Sequence, residues 1–103
     1  MRKIFIAVIM SLSMITTSSF AEIKMGIILG FTGPIESLTP AMAASAELAF
    51  KEASDSGSLL SGASITPMRA DSTCVDSAAA TAAAEGLISG GVAAIMGADC
   101  SGV

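Results

Sequence analysis

Residues 23–34 read Ile-Lys-Met-Gly-Ile-Ile-Leu-Gly-Phe-Thr-Gly-Pro, and the fold is decided here. Ile23 to Leu29 is a nearly continuous apolar run, as expected of a short strand buried on both faces. Gly30 to Pro34 then breaks it with a loop. Thr39-Pro40 marks a helix start, with Thr39 expected to cap through its hydroxyl and Pro40 to take the first helical position. Met42, Ala46, Ala49, Phe50 and Ala53 recur at helical spacing, with Glu47, Lys51 and Glu52 on the other side. The Ser/Gly-rich stretch from Ser54 to Ser64 ends that helix.

The alternation continues downstream. Ser64 to Arg69 reads as a weaker second strand, with Ile65 and Met68 as its apolar positions and Pro67 arguing against it. Asp71 to Asp76 is a polar loop holding Cys74. Asp76 is placed to cap a second helix running to Ser89, whose stripe is Ala80, Ala83, Ala84, Leu87 and Ile88. Gly90-Gly91 ends it as a left-handed cap would. Val92 to Met96 reads as a third strand, and Gly97 to Val103 begins another loop. The order β-α-β-α-β predicts an α/β fold with a parallel sheet and right-handed crossovers. Small alanine stripes let both helices approach that sheet closely, and Met25, Met42, Phe50 and Met96 are expected to fill the core. Three strands and two helices make half of a doubly wound domain, so the chain is read as the front of a longer protein. The alternative is a complete small α/β domain.

The chain has 103 residues, a formal charge of −4 and 52% apolar residues. Some of that apolar content belongs to an expected export signal, residues 1–21. Arg2 and Lys3 form a basic start, Ile4 to Ile15 is mostly apolar, and Ser19-Phe20-Ala21 offers small residues at a cleavage site. The apolar run is shorter than the ~20 residues of a spanning helix, which favours cleavage over anchoring. No later run reaches that length either. No cysteine stands at the cleavage point to accept a lipid. The expected location is therefore the periplasm. Residues 22–103 set Lys24, Lys51 and Arg69 against all nine acidic side chains, a balance that argues against nucleic acid and anionic membranes as partners. The chain has no histidine, which excludes Ser-His-Asp and Cys-His catalysis within it.

Loops that follow parallel strands emerge at one end of the sheet. That gathers Thr32-Gly33-Pro34, Asp71 to Asp76, and Asp99 to Gly102 around one crevice. Cys74 and Cys100 lie in two of these loops. In an oxidising compartment a disulfide is the leading reading, because neighbouring strands can bring the two Cα atoms within the ~4.4–6.8 Å a bridge needs. A metal site built with nearby aspartates, or two free thiols, remains open at this point. A dinucleotide enzyme is the weakest reading. Gly26, Gly30 and Gly33 are spaced G-x-x-x-G-x-x-G rather than G-x-G-x-x-G, and Asp71 lies well past the ~20-residue offset of the acidic partner. No cofactor and no catalytic group is expected.

The stretch from Ile23 to Pro34, the Ala-rich helix, Asp71-Ser-Thr-Cys-Val-Asp76 and Gly97-Ala-Asp-Cys-Ser-Gly-Val103 together resemble the amino-terminal part of a periplasmic substrate-binding protein. The specific likeness is to the leucine/isoleucine/valine-type receptors of ABC transporters. The resemblance implies the first half of the N-terminal lobe of a type I periplasmic-binding-protein fold, with residues 22–103 an incomplete lobe. It also implies a monomeric receptor that closes two lobes on an amino acid or similar small polar ligand and delivers it to an inner-membrane ABC permease. A sensory receptor of the same fold is the alternative. By the same resemblance Ser101 matches the serine that holds the ligand's α-carboxylate, where a loop opening a helix would offer N–H donors. Cys100 and Asp99 match neighbouring pocket positions, the Thr32 loop lines the crevice, and Leu38 stands where those receptors often carry a tyrosine. Two departures bear on the substrate: Leu38 removes an aromatic wall, and Asp99 replaces an apolar residue.

Overall fold

The structure, a computed structural model, describes residues 19–103. The expected export signal therefore lies almost wholly outside the described residues. Five main elements follow in order: β1 (Glu22–Leu29), α1 (Thr39–Asp55), β2 (Ser64–Asp71), α2 (Ser77–Ser89) and β3 (Ala94–Met96). A single turn of 3₁₀ helix, Leu59–Ser61, lies between α1 and β2. The sheet is parallel with strand order β2-β1-β3. The chain is thus α/β, as the alternation of patterns predicts.

β1 is central, and its alternate residues face different helices. Ile27 and Leu29, both essentially inaccessible, pack with Ala43 of α1 and the half-buried Phe31, Ala46 and Phe50. Gly26 and Ile28 face the other way, toward α2, where a Cβ on Gly26 would lie 2.9 Å from the Leu87 Cδ1 and 3.1 Å from the Ile95 Cγ1. The absence of a side chain at Gly26 is therefore what lets Leu87 settle onto the strand. One helix on each face, with β1 in the middle, is the doubly wound arrangement.

Pro67 does not break β2, and the hydrogen-bond pattern shows why. The even-numbered residues point their N–H groups at β1: Ser64 donates to the Ala21 carbonyl and Ser72 to that of Leu29. Odd-numbered residues point outward, so the donor that proline lacks would have faced the open side. The outward N–H of Ile65 is instead taken by the Ser54 Oγ at the end of α1, at 2.8 Å. This helix-to-edge tie partly covers a side of the sheet that would otherwise invite further pairing.

Several local expectations need correction. Thr39 does not cap α1: it is the first helical residue, fully buried, and its hydroxyl donates to the Gly30 carbonyl at 3.1 Å. The buried face of α1 runs through Thr39, Ala43, Ala46 and Phe50, so Met42, at 44% exposure, is not core. Met96 and Ile88 are likewise exposed. β3 is shorter than the apolar run Val92 to Met96, because the N–H groups of Gly91 and Val92 are used to end α2. They donate to the Ile88 and Leu87 carbonyls, with Gly91 at φ 83°; this is the Schellman pattern. Asp76 caps the other end of α2 as expected, accepting from the Ala78 and Ala79 N–H groups. Among the described residues no helix is long and apolar enough to cross a membrane.

Replacing Gly26 by valine should lower stability by about 1–3 kcal/mol through overpacking against Leu87 and Ile95, read as a fall in the urea midpoint. An unchanged midpoint would show that α2 does not seat on β1 here.

Candidate functional site

Three loops meet at the carboxyl end of the strands, and each pair is joined by a direct bond. The first joint links the β1–α1 and β2–α2 loops. Thr32 donates its hydroxyl to the Asp71 Oδ2 at 2.6 Å and its N–H to Oδ1 at 3.2 Å. Thr73 donates its N–H to the same Oδ1 at 2.8 Å. These donors, with the Thr32 hydroxyl the strongest, hold the Asp71 carboxyl below its ordinary range despite some desolvation. Gly33 completes the joint. It sits at φ 96° with the Thr73 carbonyl so near that no Cβ would fit.

The second joint is the Cys74–Cys100 disulfide, with a Cα–Cα distance of 5.3 Å. It links the β2–α2 loop to the segment after β3 and leaves neither sulfur as a free thiol or a metal ligand. Among the described residues no cluster of three or more Cys, Asp or Glu is arranged to hold a metal ion. With its cysteines 26 positions apart in sequence, closing this loop is worth about 3.5 kcal/mol in the chain-entropy account. Thr73 and Cys74 both adopt left-handed backbone, at φ 60° and 70°, at a cost of about 1–3 kcal/mol each. The Asp71 contact and the disulfide hold them there.

The third joint ties the segment after β3 back to β1. The Gly30 N–H donates to the Asp99 carboxylate, 3.1 Å from Oδ1 and 3.2 Å from Oδ2. β1 and β3 are sheet neighbours, and the chain goes from β1 out to β2 and then back across β1 to β3. This bond therefore lies where the strand order reverses, the place at which doubly wound folds receive ligands.

The sequence-predicted residues divide accordingly. Thr32, Asp99 and Cys100 are brought to one rim by these joints. Ser101 follows directly, exposed in a turn, and no helix begins at it within the described residues. Leu38 is the residue just before α1 and is 59% exposed. Asp71 is the residue that sequence reasoning missed as a rim organiser. Its signal was present, an aspartate at the end of a strand beside a loop rich in N–H donors, but its partner Thr32 is distant in sequence. Beneath the rim, Arg69 donates from Nε and a terminal nitrogen to the two carboxylate oxygens of Glu47, at 2.6 and 2.8 Å, and lies 5.5 Å from the centre of the Phe31 ring. The pair lowers the Glu47 pKa and raises that of Arg69, chiefly through the hydrogen bonds.

A family model described as periplasmic binding protein matches residues 22–103. The chain belongs to the periplasmic binding protein family. No curated protein and no solved structure gives a match. Membership accords with the parallel β2-β1-β3 sheet as part of a lobe of this fold. It makes the chain part of a family of ligand-binding receptors rather than of enzymes, and suggests a periplasmic location.

Two measurements follow. Alkylation of the denatured, unreduced protein should label neither cysteine, and reduction should cut stability by about 3.5 kcal/mol; labelling of both before reduction would contradict the bridge. A lowered folded pKa at Asp71 means its stabilisation is present above the unfolded value, about 4, and is lost as pH falls through the lowered value. Asp71→Asn should flatten that acid-side loss in a pH series of melting temperatures.

Proposed function

We propose that the chain is the first part of a periplasmic receptor that binds an amino acid or similar small polar molecule and hands it to an inner-membrane ABC permease. The observation that carries this reading is the convergence of three strand-end loops on one rim at the switch point, in a chain of this family. A rim fixed by a disulfide and two carboxylate ties is suited to binding, because its donors are held in place before the ligand arrives and little ordering is left to be done. Catalysis has no part in the mechanism: the ligand is held by hydrogen bonds and enclosed by closure of a second lobe.

Residue roles follow from position. Ser101 would hold an anionic group of the ligand with its hydroxyl and N–H. Thr32 and the loop to Pro34 would line the crevice, with Asp99, Cys100 and Leu38 bordering it. An export signal over residues 1–21 and a lobe that continues past Val103 belong to the same proposal. The open trough of about 290 Å³ on the α2 face, lined by Ile28, Ala84, Ile95 and Val103 among others, is where the next crossover helix would pack.

Thermal denaturation against the common amino acids should show one or a few that raise the melting temperature by mass action. Ser101→Ala should then weaken that ligand's binding by about 1–3 kcal/mol. Equal stabilisation of wild type and variant would remove Ser101 from the site.

A further inference from the structure

The carboxylates of the rim are not equivalent. Asp71 accepts three hydrogen bonds, from the Thr32 hydroxyl and from the Thr32 and Thr73 N–H groups. Asp76 spends one oxygen on the two N–H groups that open α2. Asp99, half-buried, has a single donor, the Gly30 N–H shared between its two oxygens. A carboxylate offers about four acceptor positions, so most of the capacity of Asp99 is unspent. Nor does a cation of the described chain reach it. Lys24 donates to the Gly90 carbonyl, Lys51 pairs with Asp55 and Arg69 with Glu47. Half-buried as it is, Asp99 keeps these acceptor positions open at the rim, and it stands at the switch point between β1 and β3.

We propose that Asp99 is a specificity-determining residue that pairs with a cationic nitrogen of the ligand, an ammonium or guanidinium. The inference rests on the receptor reading above and narrows its ligand class. Asp99 lies two residues before Ser101, so one short segment would meet both charges of a zwitterion, its anionic end at Ser101 and its cationic nitrogen at Asp99. The Gly30 N–H aims the carboxylate, and this same bond makes the point unreceptive to an anionic group. A ligand that presents only negative charge to this wall is therefore disfavoured.

The test is Asp99→Asn, which keeps an oxygen to accept from Gly30 and so preserves the tie while removing the charge. Binding is measured calorimetrically on the exported protein with the common amino acids and, for each that binds, the analogue lacking one cationic nitrogen, such as the 2-oxo acid or citrulline in place of arginine. The expected result is that wild type prefers the cationic member of a pair by about tenfold to a hundredfold, and that Asp99→Asn abolishes the gap with the disulfide intact by mass. Binding with no gap in wild type, or a gap that survives in the variant, overturns the role of Asp99 and leaves the receptor reading standing. Failure of every amino acid to bind overturns the amino-acid reading and the role of Asp99 together.

Discussion

Parallel pairing of β1 with neighbours on both sides is the constraint from which the rest follows. A parallel strand cannot be joined to the next by a tight turn, so each connection must cross the sheet as a helix. With β2 on one side of β1 and β3 on the other, the two helices fall on opposite faces. Every loop that leaves a strand then leaves at the same end. The rim is therefore a consequence of hydrogen-bond direction in the sheet, and its residues meet although they are far apart in sequence.

The core beneath is thin. Among the described residues its buried apolar side chains are Ile27, Ile28, Leu29, Leu87 and three alanines, and alanine contributes little apolar area. Two buried or half-buried polar ties offset this by locating α1 rather than by burying surface: the Thr39 hydroxyl on the Gly30 carbonyl, and Ser54 between α1 and the edge of β2. The exposed Arg69–Glu47 pair bridges α1 and β2 but adds little free energy of its own. At the rim the disulfide is the largest single constraint. It sets the β2–α2 loop against the segment after β3, while Asp71 sets the same loop against the one after β1. Two left-handed residues, Thr73 and Cys74, are tolerated only between these two restraints. A tightly laced rim would suit the two-lobed receptor proposed above, in which motion would be left to a hinge.

Much of this was legible in the chain. The run from Ile23 to Leu29, the cap at Asp76 and the paired glycines after Ser89 are local signals, each decided by residues within a turn or two of one another, and they identify strand, helix start and helix stop. Together they determine an α/β order and hence the end of the sheet at which a site must lie. The sequence also placed Cys74 and Cys100 in loops that such a sheet brings close. What it did not carry was the angle at which each helix is rolled: Met42 and Ala43 are both apolar and adjacent, and only contact with Ile27 and Leu29 selects alanine for the inside. Likewise Thr39 has the chemistry of a cap, but the nearby Gly30 carbonyl turned its hydroxyl into a donor. Asp71 and Asp99 could be placed in strand-end loops, Asp99 as a pocket position through the family resemblance, but their bonds to Thr32 and Gly30 depended on the strands aligning those partners opposite them. Local pattern determines which elements form, because their hydrogen bonds close over a few residues; packing decides which side chains meet, because that depends on distances between segments that share no sequence neighbourhood.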